Sequence, residues 1–135
     1  MKIGFLLGLL VCLGAGGAQA LDCTAPQSHP EMMECAGEAQ RRAEDEMAAA
    51  YEVALSEAGG MDAMMGAGAA EGVAGALEAS QGAWVAYRDA VCLADYRLLG
   101  GGQASDLEQA GCVTRRTDLR RRELRSFAER IMALN

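Results

Sequence analysis

Read for the spacing of its apolar positions, the chain shows three helical patterns and no strand-type alternation. The first stripe runs through Met32, Cys35, Ala36, Ala39, Ala43, Met47, Ala50, Tyr51, Ala54 and Leu55, with Glu and Arg at other positions. That three-and-four spacing gathers the apolar side chains on one helix face. Ser28-His29-Pro30-Glu31 provides the start, with Ser28 as N-cap, Glu31 three residues on and Pro in the first turn, where its missing N–H is harmless. Gly59-Gly60 predicts the end of this helix.

Residues 59–76 hold too many glycines for a stable helix, so the spacing predicts a flexible Gly/Met/Ala-rich connector over 59–72 that gains helical character toward its end. A second helix is expected from about Val73 to Leu99, with Val73, Leu77, Ser80, Trp84, Tyr87, Val91 and Leu98 inward and Gly100-Gly101-Gly102 as its stop. Ser105-Asp106-Leu107-Glu108 reads as a second capping box, opening a third helix that reaches nearly to Asn135. Along it Val113, Thr117, Arg120, Leu124, Phe127, Ile131 and Leu134 step alternately by four and three, the seam of a helix packed on helices. The fold class is therefore all-α, a disulfide-stapled bundle of three main helices.

The N-terminus sets the compartment. Lys2, an apolar run from Ile3 to Leu13 and the small-residue end Ala18-Gln19-Ala20 fit a signal peptide over residues 1–20, cleaved before Leu21 to leave a domain of 21–135. The run is too short for a permanent membrane anchor. Cys12 sits inside it behind Val11, where a lipidation signal wants a small residue, so a lipid anchor is not expected. A periplasmic or secreted protein results, carrying Cys23, Cys35, Cys92 and Cys112. Four cysteines in a small exported domain indicate a disulfide framework. Three pairings are open, and the local ones, Cys23 with Cys35 and Cys92 with Cys112, are favoured because each ties a loop or chain end to an adjacent helix. Each bridge would contribute about 3 kcal/mol on the loop-entropy model.

Without Lys2 the cations are all Arg, eleven against nineteen acids, a formal charge of −8 that disfavours nucleic-acid binding and favours a cationic partner. The acids concentrate in residues 21–78, which hold only Arg41 and Arg42 as cations. Arg115, Arg116, Arg120, Arg121, Arg122, Arg125 and Arg130 ring the last helix and are expected to pair with first-helix carboxylates. Catalysis finds little to work with: His29 is the one histidine and has no nucleophile near it in sequence, and Glu44-Asp45-Glu46 reads as a solvated helix face. No enzyme activity and no cofactor are expected. Cys-x-x-Cys spacing is absent. Met61, Met64 and Met65, joined by His29, Met32 and Met33, are soft donors of the kind copper accepts, but read better as loop and core residues.

Gln81-Gly82-Ala83-Trp84-Val85-Ala86-Tyr87-Arg88-Asp89-Ala90-Val91-Cys92 is the most specified stretch. Trp84, Arg88, Val91, Cys92 and Asp95 share a face, which marks a packing site with Arg88 stacked on Trp84 or paired with a carboxylate. Asp89, on another face, is the member expected to reach solvent. Gln81, Trp84, Tyr87, Arg88, Asp89 and Cys92, followed by a Gly-rich loop, Cys112, Thr117, Arg120 and Leu124, resemble the LprI-type lysozyme inhibitor domain, a family of small exported bacterial proteins. The first helix is similar to the family's Asp-x-Glu-Leu-Asn-x-x-Tyr pattern through Glu44, Glu46, Met47 and Tyr51, with Ala48 where the family has Asn. The resemblance implies a helical fold, a mainly structural role for the motif residues, and a non-enzymatic protein whose partner is lysozyme. It singles out no contact residues. The alternatives are an envelope interaction or stress protein with another partner, and a methionine-based copper-binding module.

Overall fold

The computed structural model describes residues 21–68 and 71–134, so the signal peptide and Cys12 expected within 1–20 lie outside the described residues. Three helices form: α1 (His29–Met65), α2 (Val73–Leu98) and α3 (Gln103–Met132). At the start of α1, the Ser28 hydroxyl accepts from the Glu31 backbone N–H at 3.4 Å. The Glu31 carboxylate reaches back one residue further than a capping box requires, to the N–H of Gln27. Ahead of it, the Thr24 hydroxyl and then the Thr24 N–H hold the Asp22 carboxyl below the usual carboxylate range.

Contrary to the expected stop, α1 runs straight through Gly59-Gly60. Two glycines cost about 1 kcal/mol each in a helix. Tertiary packing offsets that cost, because Ala54 and Ala58 are fully buried just before them and Met61 packs on the core just after. The helix ends instead at Gly66, whose φ of 68° is the left-handed cap and whose N–H donates to the Asp62 carbonyl. The link to α2 is therefore short. α2 begins after Gly72, which has no side chain to cap it. Asp62 of α1 does the capping instead: its carboxylate, buried in the bundle, accepts from the N–H groups of Val73 at 2.7 Å and Ala74 at 2.9 Å. A Cβ on residue 72 would overlap that carboxylate, which is why glycine stands there.

After α2 the chain turns through Gly100, Gly101 and Gly102, with φ of 81°, 80° and 91°. This turn launches α3 at Gln103, two residues ahead of the expected cap, so Ser105 lies buried in the first turn and caps nothing. Its hydroxyl has no hydrogen-bond partner among the described residues.

α1 and α3 run parallel, from His29 beside Asp106 at one end to Met61 beside Ile131 at the other, with α2 antiparallel to both. Ala50, Ala54 and Ala58 let α1 approach closely, and Met47, Leu77, Leu124, Ala128 and Ile131 complete the core. Cys23 is bonded to Cys35, with Cα atoms 5.5 Å apart, and Cys92 to Cys112, at 5.7 Å. The first clamps the N-terminal segment onto α1 and the second joins α2 to α3. Several positions expected inside are outside: Met32 on the first stripe, Ser80, Tyr87 and Leu98 on the second and Leu134 beyond the end of α3. Tyr87 is 58% exposed because it is turned about 100° from Arg88, away from the buried line, and Leu98 is 84% exposed at the end of α2. Among the described residues no helix is long and apolar enough to cross a membrane.

Candidate functional site

The motif residues converge where α2 crosses α3 opposite the middle of α1. Arg88 is the first hub, with only 11% of its side chain exposed. Its guanidinium donates to the Asp89 carboxylate at 2.8 Å and to the buried Thr117 hydroxyl at 3.3 Å, and lies 3.7 Å from Glu44 of α1. Arg120, equally buried, is the second hub. It donates to Gln81 Oε1 at 2.9 Å, to Ser80 Oγ at 2.8 Å and to Glu123 at 3.1 Å. Between the hubs stands Trp84, with the Arg88 guanidinium 5.2 Å and the Arg120 guanidinium 5.9 Å from its ring. Gln81 then reaches α1 by donating to the Met47 sulfur at 3.1 Å. Leu124, one turn beyond Arg120, is 1% exposed and belongs to the core.

Every nitrogen of the two guanidiniums is therefore directed at a neighbour, and charge-assisted bonds from semi-buried arginines fix both helices in register. Thr117 accepts from Arg88, so the cluster is a lattice of groups that position one another. Asp89 reaches solvent on its outer side, and Tyr87 stands apart from the lattice, under Arg116 at 5.5 Å. The sequence singles out Ser80 only as an inward position and Glu44 only within the first-helix pattern, and Glu123 not at all, because common polar residues gain meaning only from the arginines they meet.

The expected pairing of the last-helix arginines with α1 occurs once among the described residues, between Arg121 and Glu46 at 3.3 Å. Arg115 pairs with Glu108 and Arg120 with Glu123 within α3, and Arg130 lies over Phe127. Neighbours three, four and seven residues along the same helix are simply nearer than α1. The methionines are divided: Met61, Met64 and Met65 lie on the last turns of α1, while His29, Met32 and Met33 lie on its first, about 40 Å or more away at 1.5 Å per residue. They form no common ligand set. Among the described residues no three His, Cys, Asp or Glu side chains gather as a metal site.

Beside the second hub a groove of about 520 Å³ opens between the first half of α2 and the second half of α3. Val73, Leu77, Leu124 and Phe127 form its apolar floor, Ala76 and Ser80 one lip, and Arg120 closes one end. A second apolar hollow of about 340 Å³ adjoins it, sharing Val73, Phe127 and Arg130 and reaching Met61 and Met65.

Comparison with known proteins agrees with this arrangement. The family described as lysozyme inhibitor LprI matches residues 22–124, a span that contains the four disulfide-bonded cysteines and both arginine hubs. The chain is also similar to an uncharacterized protein of Rhizobium meliloti (strain 1021), 33% identical over 131 residues and covering 90% of each chain. No solved structure matches it. With its three-helix bundle, its two bridges and its hubs inside the matched span, the chain belongs to the lysozyme inhibitor LprI family.

Proposed function

We propose that the protein is exported through the signal in residues 1–20 and, outside the cytoplasm, binds lysozyme and inhibits it without catalysing a reaction. The observation that carries this reading is family membership over residues 22–124. Three features support it. The two disulfides suit an oxidising compartment. Arg88 and Arg120 are engaged with carboxylates, hydroxyl and amide groups, a use of charge that rigidifies a binding scaffold. Finally, a charge of −8 on the mature chain steers a basic lysozyme toward it.

Inhibition works by occlusion: a rigid domain seated across the cleft of lysozyme excludes the glycan. The test is clearing of bacterial cell walls by a panel of lysozymes at about 0.15 M salt, where exposed charges are screened beyond ~8 Å. At least one lysozyme class is expected to be inhibited near stoichiometry. Full clearing by every class at large excess of the oxidised protein would remove the reading.

A further inference from the structure

We propose that the α2–α3 groove is the surface that grips the partner, and that it receives an apolar side chain flanked by a cation on a basic protein; this rests on the lysozyme reading above. The groove is preformed by two unrelated devices. At one end Asp62 pins the first turn of α2 through Val73 and Ala74, and at the other Arg120 is held by Gln81, Ser80 and Glu123. A cavity whose walls are fixed before binding loses little entropy on being filled.

Its shape matches an anchor pocket. Leu77 and Leu124 reach the floor from the core, and exposed Ala76 and Ser80 keep the mouth open. An apolar centre with a polar rim is the anatomy of protein–protein interfaces, in which one or two buried anchors carry most of the energy. The adjoining hollow near Met61 and Met65 extends that apolar area with side chains able to repack.

The rim carries two arginines and two glutamates, so the sign of the partner is set by the net acidity of the domain, with Glu71 as the point at which a cation can be met. Arg120 is matched by Glu123, and the Arg130 guanidinium lies over Phe127 while donating to Ser126. Glu71 stands at the mouth with no ion pair among the described residues, on a chain carrying seven more acids than bases. An anchor with a Lys or Arg beside it satisfies both the floor and Glu71, whereas an acidic partner meets Glu71 and the field of the whole domain.

The test measures inhibition constants for the oxidised protein against whichever lysozyme of the panel it inhibits, together with thermal unfolding and solution mass. Ala76→Arg obstructs the mouth and is expected to weaken inhibition about 30-fold or more with unchanged unfolding, the loss of one interface anchor. Ala90→Arg makes the same charge change on the same helix about 21 Å along and is expected to leave the constant unaltered. Glu71→Lys is expected to weaken inhibition about 5-fold, chiefly through slower association. An Ala76→Arg protein as potent as wild type overturns the groove but leaves the lysozyme reading standing. Equal losses in Ala76→Arg and Ala90→Arg assign the effect to total charge and also overturn it. A wild-type dimer split by Ala76→Arg would give the groove to a second copy of the chain and overturn it too. Wild type inactive on every lysozyme removes both readings.

Discussion

The first turn of α2 and the rest of the helix are held by different physics. From Ser80 onward the helix is fastened by side chains: Arg120 holds Ser80 and Gln81, Arg88 and Trp84 knit it to α1 and α3, and Cys92 is bonded to Cys112. Its first turn is fastened by backbone, through a carboxylate from α1 that caps two N–H groups where Gly72 leaves room. The side-chain arrangement needs rare residues at fixed spacing, the backbone one only one acid and one glycine. Both keep the helix seated on its neighbours, and they can be broken separately.

Opening the Cys92–Cys112 bridge, with both cysteines changed to Ser, carries the largest expected effect, a loss of about 3–4 kcal/mol in denaturant unfolding. A loss below about 1 kcal/mol would mean that the arginine lattice holds the rest of the helix unaided. Arg88→Met comes next at about 2–3 kcal/mol, because it strands the buried Thr117 hydroxyl and removes the stack on Trp84. For the first turn, Asp62→Ala should cost about 2 kcal/mol and Gly72→Ala a similar amount. Combined, the two should cost little more than either alone, since both remove one cap. Full additivity in that double-mutant cycle would show that Gly72 matters for another reason. In the opposite direction, Gly59→Ala with Gly60→Ala should stabilise by about 1–2 kcal/mol, as both positions are exposed, helical and open around an added Cβ. A neutral or destabilising result would contradict a continuous α1.

The smallest effect concerns Asp22. Its carboxyl is held below the usual range, so its contribution is present at neutral pH and lost as pH falls through the lowered value. Because the group is fully exposed, Asp22→Asn should leave the unfolding midpoint at pH 7 unchanged within error, and a resolved shift would reveal an additional role for the tail.

This contrast also explains what was legible in the sequence. Three helices and their bundle followed from apolar spacing, and the family from Gln81, Trp84, Arg88 and their partners, because rare residues at helical intervals have few other meanings. The start of α2 at Val73 was legible, but not what holds it there. Gly59-Gly60 has the composition of a helix stop, and only the burial of Ala58 and Asp62 on either side shows why the helix persists. Asp62 reads as an ordinary acid in a loop, since its partners lie eleven and twelve residues away on another helix. Ser105 shows the converse: a well-formed capping pattern was overridden by three left-handed glycines that start α3 earlier. Tyr87 was placed inside by its aromatic character, although its angular position on α2 carries it to solvent.

The motif is proposed to build the scaffold while the partner meets the groove beside it, and Arg88→Met separates these roles most directly. Its unfolding midpoint and its inhibition constant against lysozyme are to be measured on the same oxidised sample, the constant well below the midpoint. The scaffold role predicts a midpoint lower by roughly 10 °C and an inhibition constant within about 3-fold of wild type, less than 1 kcal/mol of binding. A midpoint that stays in place while inhibition is lost would contradict it, and would put Arg88 in the contact itself.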